Sequence, residues 1–170
     1  MGVSRLQKNA DILFDAVSER KLVSGACNAC VVGNFIAANN GYTIIKEGDN
    51  YVWYTEKEDK VYPYWVQTFM TREDGQLFNA NNYRNESKEQ IDSTGFTLEE
   101  LMKIENIFER NTKLKLEQYR YHSDEDIRQD QMKGLVAVLN YISTLEDEVN
   151  DNNDIINNFI EKVNLIPLCV

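Results

Sequence analysis

The spacing of apolar positions changes twice along this 170-residue chain. Leu6, Ala10, Leu13, Ala16 and Val17 recur at helical intervals behind Ser4, which predicts a first helix capped by Ser4 and running to about Arg20. After a turn over Lys21 to Gly25, Val31, Val32, Phe35 and Ile36 share one face of a second helix. Asn28 is its expected N-cap and Asn39-Asn40-Gly41 its expected stop. From Tyr42 the pattern shortens to that of strands. Tyr42 to Ile45 and Tyr51 to Thr55 are rich in β-branched and aromatic residues and flank Gly48-Asp49-Asn50, which predicts a hairpin. Val61 to Phe69 predicts a third strand, starting at an edge or bulge because Pro63 has no N–H to donate. Gln76-Leu77-Phe78 makes a short fourth strand, and the polar run from Asn79 to Ser93 reads as an exposed loop.

Helical spacing then returns. Thr97-Leu98-Glu99-Glu100 is a capping box, with Phe96 placed to staple against Leu101, and the helix it opens carries Leu101, Ile104, Ile107 and Phe108 to about Arg110. Lys113 to Tyr121 alternates in a way that fits either a helix tail or a strand. Ser123 with Asp126 caps a long helix on Ile127, Met132, Leu135, Val138, Leu139, Ile142 and Leu145. A last helix starts within Asn150 to Asp154 and uses Ile155, Ile156, Phe159, Ile160 and Val163. The apolar tail from Ile166 to Val170 should dock rather than stay in water. Together these elements predict one α+β domain over residues 1–170, with about five helices around a small, mostly antiparallel sheet. Residues 124–170 form a helical arm able to reach outward to a partner.

Within the second helix the small residues Ala29, Gly33, Ala37 and Ala38 leave room for another backbone to approach closely. Gly33 costs a helix interior roughly 1 kcal/mol against Ala, a sacrifice that marks the helix as central. Its cysteines are expected to be buried, inert small hydrophobes.

Charge narrows the function classes. The net charge is −10 and the sequence pI about 4.6, which opposes nucleic-acid binding, since that rests on clustered Lys and Arg. Most of the excess lies from Thr97 onward, and six acids between Glu146 and Glu161 are uninterrupted by a base. That acidity favours a protein partner with a basic surface. No apolar run reaches the length of a membrane span, and the first residues lack a signal-peptide core, so the expected location is intracellular. Three cysteines make no even disulfide framework and are expected to be thiols.

Several constellations are candidates for chemistry. Cys27 and Cys30 form a C-x-x-C near a helix N-terminus, where exposed amides lower a thiol's pKa. Either thiol with His122, the only histidine, and Asp124 or Asp126 to orient it, would make a Cys–His hydrolase. Cys27, Cys30, Cys169 and His122 would together supply a Cys₃His zinc set, although the last two are not at ligand spacing. The strand aromatics Tyr51, Trp53, Tyr64 and Trp65, with Tyr54 and Tyr62, are the candidate binding residues, either for a nucleotide stacked on them or for a protein interface. No phosphate-binding glycine loop and no H-E-x-x-H occurs, and no cofactor is called for.

Three segments, Asn28 to Asn39, Thr94 to Glu109 and Gly134 to Leu139, resemble uncharacterised small proteins of phages that infect Bacteroidetes, including crAss-like phages. They cover about a fifth of the chain. The resemblance implies a phage origin and a place in the cytoplasm of the host bacterium or inside the virion, and it carries no activity and no functional residue. The expected role is a non-enzymatic one exercised through protein contacts, as virion component or cargo or as antagonist of a host protein. The alternatives are a thiol-dependent hydrolase and a small-ligand binder.

Overall fold

The second helix, α2 (Val31–Asn40), lies at the centre, and every residue from Val31 to Ala37 is buried. The computed structural model describes residues 4–66, 85–146 and 149–168. Before α2 comes α1 (Arg5–Ser18), whose cap Ser4 accepts from the Gln7 N–H at 3.1 Å, as its apolar spacing predicts. After it, β1 (Thr43–Glu47) and β2 (Asn50–Tyr54) form the expected antiparallel hairpin, pairing Thr43 with Tyr54 and Glu47 with Asn50 around Gly48. Gly48 has a φ of 62°, a left-handed conformation in which a side chain would be strained.

Four further elements complete the described chain. The expected third strand shrinks to β3 (Lys60–Val61), antiparallel to β2. Beyond it α3 (Asn85–Asp92) replaces part of the expected loop. One observation explains both departures. Side chains of α3 take up the backbone groups of residues 62–65 that a sheet would otherwise pair. Gln90 donates to the Tyr62 carbonyl at 2.8 Å and accepts from Trp65 N–H at 3.1 Å, while Ser87 donates to the Tyr64 carbonyl at 2.9 Å. The buried face of α3 is Ser87, Gln90 and Ile91, so it is polar and has almost no apolar period to read. The remainder of the expected third strand, the fourth strand at 76–78 and the first part of the loop fall outside the described residues.

The capping box of α4 (Leu98–Asn111) is present in both halves: Glu100 N–H donates to Thr97 Oγ1 at 3.1 Å, and Thr97 N–H to the Glu100 carboxylate at 2.9 Å. Phe96 and Leu101 are both buried, and Phe96 stacks on Phe35 of α2 with ring centroids 5.9 Å apart. The ambiguous stretch after α4 runs extended and then as a 3₁₀ helix (Leu116–Tyr121). Ser123 caps α5 (Asp124–Thr144), and α6 (Val149–Asn164) follows.

Helix α1 packs on α2, α5 and α6, and α4 packs on α2 and α5. The chain is thus a single α+β domain, in which six α-helices among the described residues surround a three-stranded antiparallel sheet. Helix α6 lies back along α1 and α5 rather than reaching outward. Glu146, one of the six acids in the C-terminal run, accepts from Leu6 N–H at 3.0 Å and lies 3.7 Å from Arg5, so its charge is used at the positive end of α1. The described part of the tail docks only partly: Ile166 is half-buried, whereas Leu168 is 40% exposed. No helix is long and apolar enough to cross a membrane among the described residues.

Candidate functional site

The C-x-x-C segment sits in the turn that leads into α2, and Cys30, not Asn28, is the N-cap. Cys30 Sγ accepts from Gly33 N–H at 3.3 Å, and the thiol itself points at the Cys27 carbonyl oxygen 3.5 Å away. Asn28 is engaged elsewhere. Its side chain donates to the Tyr51 carbonyl at 2.8 Å and its carbonyl accepts from the Trp53 indole at 2.7 Å, which ties the turn to β2. On the helix side Asn34 Nδ2 lies 3.0 to 3.1 Å from the carbonyls of Lys21, Ala29 and Cys30. The close approach expected at Gly33 is the chain's own: a methyl group there would stand 2.5 Å from the Cys27 carbonyl oxygen.

The two thiols differ in access. Cys30 is buried at 2% exposure, whereas Cys27 is exposed, so the expectation of two hidden cysteines holds only for Cys30. Cys27 lies in the turn ahead of the helix, whereas Cys30 is the helix cap and is enclosed with it. Across from both stands Glu105 of α4, whose Oε2 is enclosed and has no hydrogen-bond partner. Burial pushes the Glu105 carboxyl up to about 7, with Glu109 adding repulsion, while the Cys30 thiol, the Val32 amide and Lys115 pull the other way. Burial also raises the Cys30 thiol well above its usual value, and the Glu105 charge adds to it. Partial burial raises Cys27 to a lesser degree, opposed by its backbone contacts and assisted by Glu105. Sequence reading missed Glu105. Its signal was position, since 105 falls on the same helical stripe as Leu101, Ile104 and Phe108, all buried.

The other candidates disperse. His122 is exposed at the C-cap of the 3₁₀ helix, and no hydrogen bond or ion pair joins it to Cys27 or Cys30. Cys169 lies outside the described residues, and among the described residues no group of three or more His, Cys, Asp or Glu is placed to hold a metal ion. Trp53 and Trp65 are core residues at 0% and 4% exposure. Tyr64 lies off the sheet beside Tyr62, with ring centroids 6.1 Å apart. Tyr62 is 71% exposed, and Tyr51 is half-buried at the edge of an opening. Tyr51 lines a cleft of about 670 Å³ with Lys46, Tyr119 and Arg120, where Arg20 pairs with Asp124 at 3.1 Å.

A second opening is of a different kind. Between α5, α6 and the tail, a groove of about 700 Å³ has a floor of Met132, Val136, Ile160, Ile166 and Leu168. Two cations line it: Arg128 donates to the carbonyls of Ile166 and Pro167, and Lys133 is exposed on α5. Asp151, Asp154 and Glu161 are exposed on α6, and Glu125 stands at the groove's edge. No family model, no curated protein and no solved structure matches this chain.

Proposed function

We propose that this is a phage-encoded, non-enzymatic protein that acts through protein contacts, and that the groove between α5 and α6 receives a partner with a basic surface. The carrying observation is the groove itself, an apolar floor left open beside an acidic helix face. An amphipathic segment of a partner would bury its apolar side chains against Met132, Val136 and Ile160, and its Lys and Arg would meet Glu125 at the groove's edge, with Asp154 and Glu161 exposed elsewhere on α6 to steer the approach. Such charges steer the encounter and fix orientation more than they add affinity. The phage origin rests on the resemblance of the three segments. Within it, the role is that of a virion component or cargo, or of an antagonist of a host protein.

The test has two parts. Proteomics of purified particles against infected-cell lysate separates virion from intracellular roles. Immobilised protein is then compared with its Met132→Asp, Leu168→Asp double variant for capture from host lysate. The reading expects a basic protein that is retained by the wild type, released by raised salt and lost with the groove variant. Capture that ignores the groove variant, or the absence of any groove-dependent partner in both particles and lysate, overturns it.

A further inference from the structure

We propose that Cys27 and Cys30 form a reversible intrachain disulfide, with Cys27 as the attacking thiol and Glu105 as the group that takes the proton from Cys30. The inference is independent of the docking groove. Three observations carry it. The cysteines stand three residues apart in one tight turn, and the Cys30 sulfur lies 3.5 Å from the Cys27 carbonyl oxygen. They divide the labour of exchange, because Cys27 is open to solvent while Cys30 is enclosed with its sulfur on the Gly33 amide at the start of α2. Finally, the Glu105 carboxyl stands beside the Cys30 thiol and the Val32 amide, with its Oε2 enclosed and making no hydrogen bond of its own, which places it to take the thiol proton.

The oxidant is a small-molecule disulfide, RS–SR. The Cys27 thiolate attacks one sulfur, the S–S bond of the oxidant breaks, and a mixed disulfide Cys27–S–S–R forms as RS⁻ leaves and takes up a proton. Cys30 then gives its proton to the Glu105 carboxylate. Its thiolate displaces the second RS⁻ from Cys27 Sγ, and Glu105 returns the proton to that leaving thiolate. Two protein thiols lose two electrons, and one RS–SR becomes two RSH. The Cys30 thiol is held neutral by burial, so without a neighbouring base the closing step stalls.

The experiment uses the full chain carrying Cys169→Ser, so that only this pair reports, with oxidised glutathione as probe and acid-quenched mass spectrometry as readout. The parent should lose two hydrogens and show little mixed disulfide. Cys30→Ser should accumulate one glutathione on Cys27, and Cys27→Ser should stay unmodified. Glu105→Gln should slow the closing step at least tenfold, so that the mixed disulfide builds up, and should abolish the inflection near pH 7 in the closing rate. Glu105→Asp, with circular dichroism confirming the fold of each variant, should restore part of the rate. A role limited to electrostatic burden predicts the opposite sign, since removing the Glu105 charge eases ionisation of Cys30 and speeds closure. Faster closure in Glu105→Gln, or a parent that stops at the mixed disulfide, overturns the proposal.

Discussion

At the start of α2 the chain holds its own groups closely; between α5 and α6 it does not. In the first region the turn carrying Cys27 and Asn28 is pinned by β2 on one side and by Asn34 on the other, and its backbone lies so near α2 that only glycine fits at position 33. In the second, Met132, Val136 and Ile160 are half-buried along a groove that nothing in the described chain fills. A closed region can be stable and still carry one expensive group, here Glu105. An open one gives up burial that a partner can restore. Substitutions should therefore divide cleanly, those in the corner acting on the fold and those in the groove acting on recognition.

The largest effect is expected at Gly33. Ala there drives a methyl into the Cys27 carbonyl oxygen, a backbone atom that cannot swing aside, and denaturant unfolding should register a loss of about 3 kcal/mol despite the better helix propensity of Ala. The same change at Gly134 meets the side chains of Phe108 and Thr112, which can shift, and should cost less. Equal losses at the two glycines would remove the distinction between a backbone approach and ordinary packing.

Glu105 gives the next effect, and it depends on pH. Its carboxyl titrates near 7 in the folded chain against 4.5 when free, so the folded state holds the proton more tightly. The stabilisation from that proton is fully present below 4.5 and is lost as pH rises through 7, a difference of at most about 3 kcal/mol. Glu105→Gln should flatten the fall in stability between pH 4.5 and 7 and leave the variant the more stable protein at pH 8. A parallel slope in both proteins would place the titration elsewhere. Smaller again is Thr97→Ala, which removes one half of the capping box and should cost about 1 kcal/mol by thermal or chemical unfolding. Smallest is Leu168→Asp in the groove, where the side chain is already 40% exposed and stability should change by no more than about 0.5 kcal/mol.

What could be read from the residues follows the same division. Helices α1, α4, α5 and α6 and the hairpin announce themselves because their buried faces are apolar and their caps are local, as with Ser4, Ser123 and the Thr97 box. Helix α3 is invisible to that logic, because it is held by Ser87 and Gln90 reaching the backbone of residues 62–65. The start of α2 was displaced by two residues for a related reason. Asn28 is the better cap by propensity, but its side chain is committed to β2 more than twenty residues away, and Cys30 inherits the position. At the candidate site the pair of thiols was legible as a spacing, while their unequal access and the facing carboxylate depend on how α4 meets α2. The aromatic set was misleading in a simple way, since Trp53 and Trp65 serve the core while Tyr51 lines a cleft.

The division between a corner that maintains the fold and a groove that recognises a partner is tested most directly by one titration series. The captured partner is titrated calorimetrically into the wild type, the Met132→Asp, Leu168→Asp protein and the Cys27→Ser, Cys30→Ser protein under reducing conditions. The account predicts that the groove variant binds at least tenfold more weakly while the thiol variant binds like the wild type. Full affinity in the groove variant, with binding lost in the thiol variant, would contradict it.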